Sequence, residues 1–446
     1  MVDDVGDGAD SGPDRATASD RTAEFTGRYI VVFSDEAHDD PGATNEVLRS
    51  VAGVSNVAST RDFESGAIDF DQTQSADATV FAELGMAVVA ADPSQGGSIA
   101  ALAEADSRIV AVEPERILYA IDAPLSLEYV SGFRDGVSSL YDRLAGDGLA
   151  AAELDGAAAS SFSDNTSFTW GLQASLASVS TRTANDISVA VLDTGLDLKH
   201  ADFVGRPITS QSFVSGQTAQ DGHGHGTHCV GTSCGPKDPP GPSHRYGVAT
   251  LARIFAGKVL SNQGSGSDSQ ILAGIDWALA NNVHVISMSL GAEVRQVSQA
   301  YETVGRRALA AGTLIVAAAG NNADRSKGNF GFVEVPANSS SIMAVGAVDS
   351  NLRVGDFSAR SSAVLGGKVD IAAPGVAVYS SWPMAIRYRS ISGTSMATPH
   401  VAGVAALLSQ ATGARGAELW AKLTQTARPL NLPSADVGAG LVQAPL

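Results

Sequence analysis

The strongest constraint on this chain is a set of strand-length apolar runs, each stopping on a polar residue or a glycine. Ile187-Ser188-Val189-Ala190-Val191-Leu192 stops on Asp193, Thr313 to Ala319 stops on Gly320-Asn321, and His284 to Met288 stops on Ser289-Leu290-Gly291. Runs of this kind, rich in β-branched residues, read as buried strands. Groups just past their ends fall where a parallel α/β sheet places its functional residues.

Asp193 begins Asp193-Thr194-Gly195, and His225 follows the turn Asp221-Gly222-His223-Gly224, before a segment able to open a helix. Ser395 lies in Gly393-Thr394-Ser395-Met396-Ala397-Thr398-Pro399 and opens a helical pattern with Met396, Val401, Val404, Leu407 and Leu408. Pro399 fits that helix only because it falls within about the first turn, where amide hydrogens lack partners. An aspartate, a histidine and a serine so placed can act as orienter, base and nucleophile in acyl transfer. Asn321, with the Ser395 amide at the positive helix end, can hold an oxyanion. Taken singly, each is as readily a turn, a core imidazole or a helix cap. A zinc site is the competing centre, because His223, His225, His228 and Cys229 fall within seven residues and offer imidazole and thiolate ligands. It leaves Ser395 and Asn321 without a role.

The segments "DTGLDLKHADF", "GHGTHCVGT", "AAAGNN" and "SGTSMATPHVAG" resemble the signatures of subtilisin-like serine peptidases, with Cys229 after His228 similar to the proteinase K branch. The resemblance runs from about Trp170 to Leu441. It implies that Asp193 orients His225, that His225 is general base and then acid, that Ser395 is the nucleophile, and that Asn321 stabilises the oxyanion. It also implies a peptide-binding cleft walled by Ser289, Leu290, Gly291, Ala319 and Gly320, where a protein substrate binds as an added strand. Glu334 takes a position that is often small at the pocket floor, and either favours a basic P1 residue or turns out to solvent. Broad specificity with some basic bias is the expectation. Asp268 stands at a fourth-subsite position that is frequently aromatic. Structural calcium is expected at Asp370, with backbone carbonyls near Ser340 and Ile342. Asp202 matches a second calcium site whose companion loop departs from the pattern.

With 446 residues and 44% hydrophobic content the chain can bury a large core. A net charge of -19, from 48 acidic and 29 basic residues, argues against a nucleic-acid partner. No apolar run is long enough to span a bilayer, so no membrane role is expected. Cys229 and Cys234 are too few for a disulfide framework and are expected as thiols.

Four parts are expected: residues 1–27, an acidic disordered tail; 28–121, a small α+β ferredoxin-like unit with strands Tyr29 to Phe33, near Met86 to Ala90 and Ile109 to Ile117, and helices near Asn45 to Ala52 and Ile99 to Ala105; 122–167, a connecting segment with an amphipathic stretch from Leu127 to Leu149; and 168–446, a doubly wound parallel-sheet domain. "RYIVVF" and "IVAVEPERILYAI" resemble the edges of the inhibitory propeptide of secreted subtilases. The resemblance implies a monomeric self-processing zymogen, cut within the connecting segment and inhibited by its own propeptide. It implies an extracellular destination, although Met1 to Asp20 shows no apolar signal core. The alternative from another class is a non-hydrolytic binding protein with the N-terminal unit permanently docked.

Overall fold

The computed structural model describes residues 24–50, 54–90, 106–121, 161–240, 244–362 and 367–446. The N-terminal unit is a sheet of β1 (Phe25–Phe33), β2 (Val57–Ser59), β3 (Ala78–Phe81), β4 (Met86–Ala90) and β5 (Ile109–Ala120), covered by helix α1 (Pro41–Ser50). Its order is β5-β1-β4-β3-β2, with β1 antiparallel to both neighbours. Alternation along β1 sends Val31 and Phe33 to the face holding Val47 and Leu48 of α1, and Ile30 and Val32 to the opposite face. Helix α1 starts earlier than the Asn45 expected, because Pro41 at its first position has no N–H to leave unpaired. The helix expected near Ile99 to Ala105 and the stretch from Leu127 to Leu149 lie outside the described residues.

The tail expected through residue 27 ends sooner. Phe25 pairs with Arg116, Ile117 N–H donates to Glu24 O at 2.9 Å, and the Thr26 hydroxyl donates to Glu115. A polar stretch becomes a strand here because β5 offers it an edge. The other boundary also moves: before residue 168 the Phe162 amide donates to Ser350 O at 2.8 Å and the Trp170 amide to Asp164 Oδ1 at 2.7 Å.

The C-terminal domain comprises β6 (Ser188–Asp193), β7 (Ile208–Ser212), α2 (His225–Cys234), β8 (Arg253–Lys258), β9 (Ser265–Ser267), α3 (Asp268–Ala280), β10 (Val285–Met288), β11 (Leu290–Gly291), α4 (Gln299–Ala310), β12 (Leu314–Ala318), β13 (Met343–Val348), β14 (Ile371–Pro374), β15 (Val378–Ser381), β16 (Tyr388–Ile391) and α5 (Thr394–Thr412). Seven of these form one sheet, β14-β13-β12-β10-β6-β8-β7, parallel at every pair. Val189 and Val191 pack against α2 and α5, while Ala190 and Leu192 pack against α3 and α4. Burial on both faces explains the apolar runs, and the doubly wound expectation holds.

The inner face of the N-terminal sheet lies on α3 and α4, where Ile30, Val32, Phe81 and Met86 join Ile271, Trp277, Ala300 and Val304 in one core. Strand β5 runs on beyond Ile117, where it was expected to end. It pairs antiparallel with β9 (Ile117 to Ser267, Tyr119 to Ser265) and with β11 (Tyr119 to Gly291, Ala120 to Leu290). Two of its carboxylates cap helices of the other domain. Glu115 Oε1 accepts from the Ser269 amide at 2.9 Å, and Glu113 Oε1 from the Gln299 amide at 2.5 Å. Acids at helix starts satisfy orphan amides and meet the positive dipole end. In the other direction Asp276 of α3 accepts from the Glu83 and Leu84 amides at 2.8 and 3.1 Å, and Arg307 of α4 donates to Phe33 O at 2.9 Å.

Glu115 is fully buried and also pairs with Arg28 at 2.6 Å. Glu115→Ala in a full-length Ser395→Ala chain is expected to cost about 1–3 kcal/mol, through the stranded Arg28 and the uncapped α3. A lowered thermal midpoint is the readout; an unchanged one would show that the cap adds nothing.

Candidate active site

Asp193 closes β6 and His225 opens α2. Both are buried, and His225 Nδ1 lies 2.8 and 3.0 Å from the two Asp193 oxygens. The turn before α2 is shaped by Asp221, whose Oδ1 accepts from the His223 and Gly224 amides and whose Oδ2 accepts from the Thr227 amide and hydroxyl, all at 2.7–2.9 Å. Thr194 ties the two halves together: its hydroxyl donates to Asp221 Oδ1 at 2.9 Å and accepts from the Gly226 amide at 2.8 Å. Residue 226 must be glycine, since a Cβ there would run into Gly195 O and the Thr194 hydroxyl.

Ser395 is the second residue of α5 and is buried. Asn321 follows β12, and its Oδ1 accepts from the Thr394 amide and hydroxyl, both at 2.9 Å. Those bonds fix the amide so that Nδ2 points outward. What it meets is the end of β5: Asn321 Nδ2 donates to Ile121 O at 3.0 Å, and Ser395 Oγ donates to the same oxygen at 2.6 Å. The Ile121 amide donates to Ser289 O at 3.3 Å. The structure therefore brings Asp193 to His225, and brings Ser395 and Asn321 together on one peptide carbonyl of the chain itself.

Leu290 and Gly291 flank the incoming strand as β11, and Ser289 is buried with its hydroxyl donating to Ser395 O at 2.8 Å. Glu334 does not turn to solvent. It is buried, and its Oε2 accepts from Asn322 Nδ2 at 3.0 Å. A Cβ at Gly291 would sit 2.5 Å from Glu334 Oε1 and 2.9 Å from Ile121 Cδ1; one at Gly320, after the buried Ala319, would sit 2.8 Å from Glu334 Oε2. The carboxyl thus backs the pocket wall, and burial pushes it up to about 8. Asp268, expected to line the cleft, instead accepts from the Arg116 amide at 2.7 Å and the Tyr301 hydroxyl at 2.7 Å.

Residues 184–440 match the description of the subtilase family. The chain is a subtilase. It is similar to subtilisin DY of Bacillus licheniformis, 40% identical over 259 residues that make up 58% of this chain and 89% of that protein. It is likewise 41% identical over 263 residues to a subtilisin of Bacillus pumilus, covering 58% of this chain and 90% of that one. A thermostable alkaline protease of Halalkalibacterium halodurans is 42% identical over 262 residues, 58% of this chain and 67% of that protein. This subtilase is a serine endopeptidase, a hydrolase of peptide bonds in proteins.

The zinc alternative required four side chains to converge, and in this subtilase they do not. His228 Nε2 bonds Val378 O and Arg389 O at 3.0 and 3.2 Å, burial pulls its ring down to about 3, and the His223 ring centroid is 6.4 Å from that of His225. Among the described residues, the metal-capable side chains that do meet are Asp193, His225 and Cys229. There His225 Nδ1 is already engaged by Asp193. The calcium expectation meets poor donors. Asp370 Oδ2 accepts from the Ala344 amide at 3.0 Å, and Lys368 Nζ stands 3.6 Å from Oδ1, an ammonium where a dication would need further oxygens. Asp202 is held by the hydroxyls of Tyr246 at 2.5 Å and Tyr388 at 3.0 Å and by Arg387 at 3.4 Å, a phenol and guanidinium nest that does not fit calcium. No helix among the described residues is long and apolar enough to cross a membrane.

Nothing local in the sequence signals the bracing by Thr194 and Asp221 or the wall formed by β9. Asp-Gly-His-Gly signals a turn, but the acceptors of its amides come from the fold. Both cysteines are free and buried, as expected, and Cys229 Sγ lies 3.9 Å from His225 Nδ1, on the helix face the four-residue spacing predicts. Burial raises both thiols to about 11, so they stay protonated and unreactive well above neutral pH. Iodoacetamide at pH 8 is expected to leave Cys229 unmodified in the folded chain and to alkylate it in denaturant, as read by intact mass. Rapid labelling of the folded chain would contradict this burial.

Proposed function

We propose that this structure is the uncut proenzyme, poised at the Ile121–Asp122 bond, with Asp193, His225 and Ser395 as its triad and Asn321 as an oxyanion donor. The observation that carries this reading is the Ile121 carbonyl oxygen, which receives both Ser395 Oγ and Asn321 Nδ2. Ser395 Oγ attacks the Ile121 carbonyl carbon as its proton passes to His225, whose imidazolium is stabilised by Asp193. The negative oxygen of the tetrahedral intermediate is held by Asn321 Nδ2–H and, at the positive start of α5, by the Ser395 amide. His225 then returns the proton to the departing amine of Asp122, and water releases the acyl group from Ser395. The freed strand keeps its pairing with β9 and β11, so residues 24–121 remain as a competitive, substrate-like inhibitor. In this reading the domains divide at Ile121, the enzyme acts as a monomer, export follows from the propeptide, and no metal takes part in the chemistry. A structural calcium, which family likeness suggests, would have to displace Lys368 from Asp370.

The full-length chain is expected to convert to a form beginning at Asp122, while Ser395→Ala stays whole. Asn321→Ala is expected to slow conversion roughly 10²–10³-fold, a scale known for the oxyanion-hole asparagine of subtilisin and not one set by these distances. Intact masses over time give both results. A first cut elsewhere than after residue 121 would reject the assigned bond.

Substrate preference follows from the same strand. Ile121 at P1 and the fully buried Leu118 at P4 argue for aliphatic side chains at both subsites. The basic bias expected from Glu334 is confined by its protonation. A carboxyl raised to about 8 is neutral at pH 7 and charged above pH 8. The ratio of kcat/KM for a P1 lysine peptide to that for a P1 leucine peptide is therefore expected to rise about tenfold from pH 7 to 9. It should stay flat in Glu334→Gln; a wild-type ratio that does not move with pH would remove Glu334 from specificity.

A further inference from the structure

Lys258 is the last residue of β8, directly across the ladder from Asp193. It is completely buried. Its Nζ donates to Thr194 O at 2.6 Å and to Asn262 Oδ1 at 2.9 Å. These two acceptors lie on opposite halves of the site. Thr194 is the residue whose amide donates to Asp193 Oδ1 at 2.7 Å, and Asn262 Oδ1 also accepts from the amide of Gly222, in the turn that delivers His225, at 3.1 Å.

A buried ammonium is expensive, and an apolar side chain of equal length would fill the same space at lower cost. Its presence needs a charge-based reason, and the surroundings supply one. Two buried carboxylates face it, Asp193 from β6 and Asp221 from the turn before α2. Near His225 the titratable side chains also include His223, His228 and Cys229, and His400 of α5, held neutral by burial, lies beside His228. His228 is held neutral and Cys229 protonated by burial, so neither offsets the two carboxylates. Desolvation draws Lys258 down to about 8, against the pull of Asp221 and Asp193, which keeps it charged at neutral pH.

Resting on the triad assignment above, we propose that Lys258 is a positioning residue of the reaction: its ammonium clamps the Asp193 turn to the His225 turn and supplies the buried positive charge opposite Asp193 and Asp221. Without it, the imidazole faces two uncompensated carboxylates. The imidazolium is then favoured at rest, and the base is available only at higher pH. The clamp also sets the register between orienter and base, where small displacements are costly to rate.

Self-cleavage of the full-length chain is an intramolecular single turnover, so its rate reports chemistry free of substrate binding. Wild type, Lys258→Met, Lys258→Arg, Asn262→Ala and Ser395→Ala chains are followed by intact mass from pH 5 to 9, with thermal midpoints measured alongside. Lys258→Met is expected to convert about 10–100-fold more slowly at neutral pH, with the acidic limb of its rate profile moved upward by about half a unit or more. Lys258→Arg restores the limb, because the charge returns. Asn262→Ala, which keeps the charge and loses one arm of the clamp, slows conversion with the limb in place, and it answers the question if the methionine variant fails to fold. A lowered melting midpoint with an unchanged pH profile and rate in these variants would make Lys258 a structural ion only and overturn the inference. An uncut wild type would instead overturn the processing assignment on which it rests.

Discussion

Backbone pairing of β5 between β9 and β11 is the interaction on which the rest of this molecule depends. It is a ladder of main-chain hydrogen bonds at the open edge of a binding cleft, and it fixes the end of the N-terminal unit without asking for particular side chains. Once the strand is seated, its alternation acts on both domains. Glu113 and Glu115, two residues apart and so on one face, reach the starts of α4 and α3. Leu118 enters the shared core, and the Ile121 carbonyl arrives between Ser395 and Asn321. Apolar burial of the sheet against α3 and α4 gives the association its area, while the ladder and caps give it a single register.

The site shows a division of labour between strands and turns. β6, β8 and β12 are buried on both faces and cannot move independently, so the groups leaving them, Asp193, Lys258 and Asn321, are placed by the sheet. His225 and Ser395 come from helix starts instead. There the backbone has unpaired amides, and the surrounding acceptors, Asp221 above all, decide where the first turn points. Thr194 joins the two systems through one hydroxyl used as both donor and acceptor.

The parts of this arrangement that were legible in the sequence are those encoded over a few residues. Asp193, His225, Asn321 and Ser395 each sit in a local pattern, and the apolar runs announce a doubly covered sheet. What was misread depended on partners distant in the chain. Glu334 could be buried or solvated as far as its neighbours in sequence show; Gly291 and Gly320 settle it. Asp202 is taken up by hydroxyls 44 and 186 positions away. Phe25 to Gly27 looked like tail because nothing in their composition reveals the edge that β5 provides. The zinc reading failed for a related reason: proximity in sequence put His228 beside His225, while the helix turned it toward the carbonyls of β15 and β16.

The carboxylate caps of β5 have one further consequence. Glu115 is anchored at α3, the Arg116 amide is anchored on Asp268, and from there the extended chain reaches Ser395 at Ile121. Distance along an extended strand is set by residue count, about 3.3 Å for each. In the proposed processing the strand would therefore work as a molecular ruler: the bond offered to Ser395 would be chosen by how many residues separate it from the helix caps, with the side chain at that bond adjusting the fit.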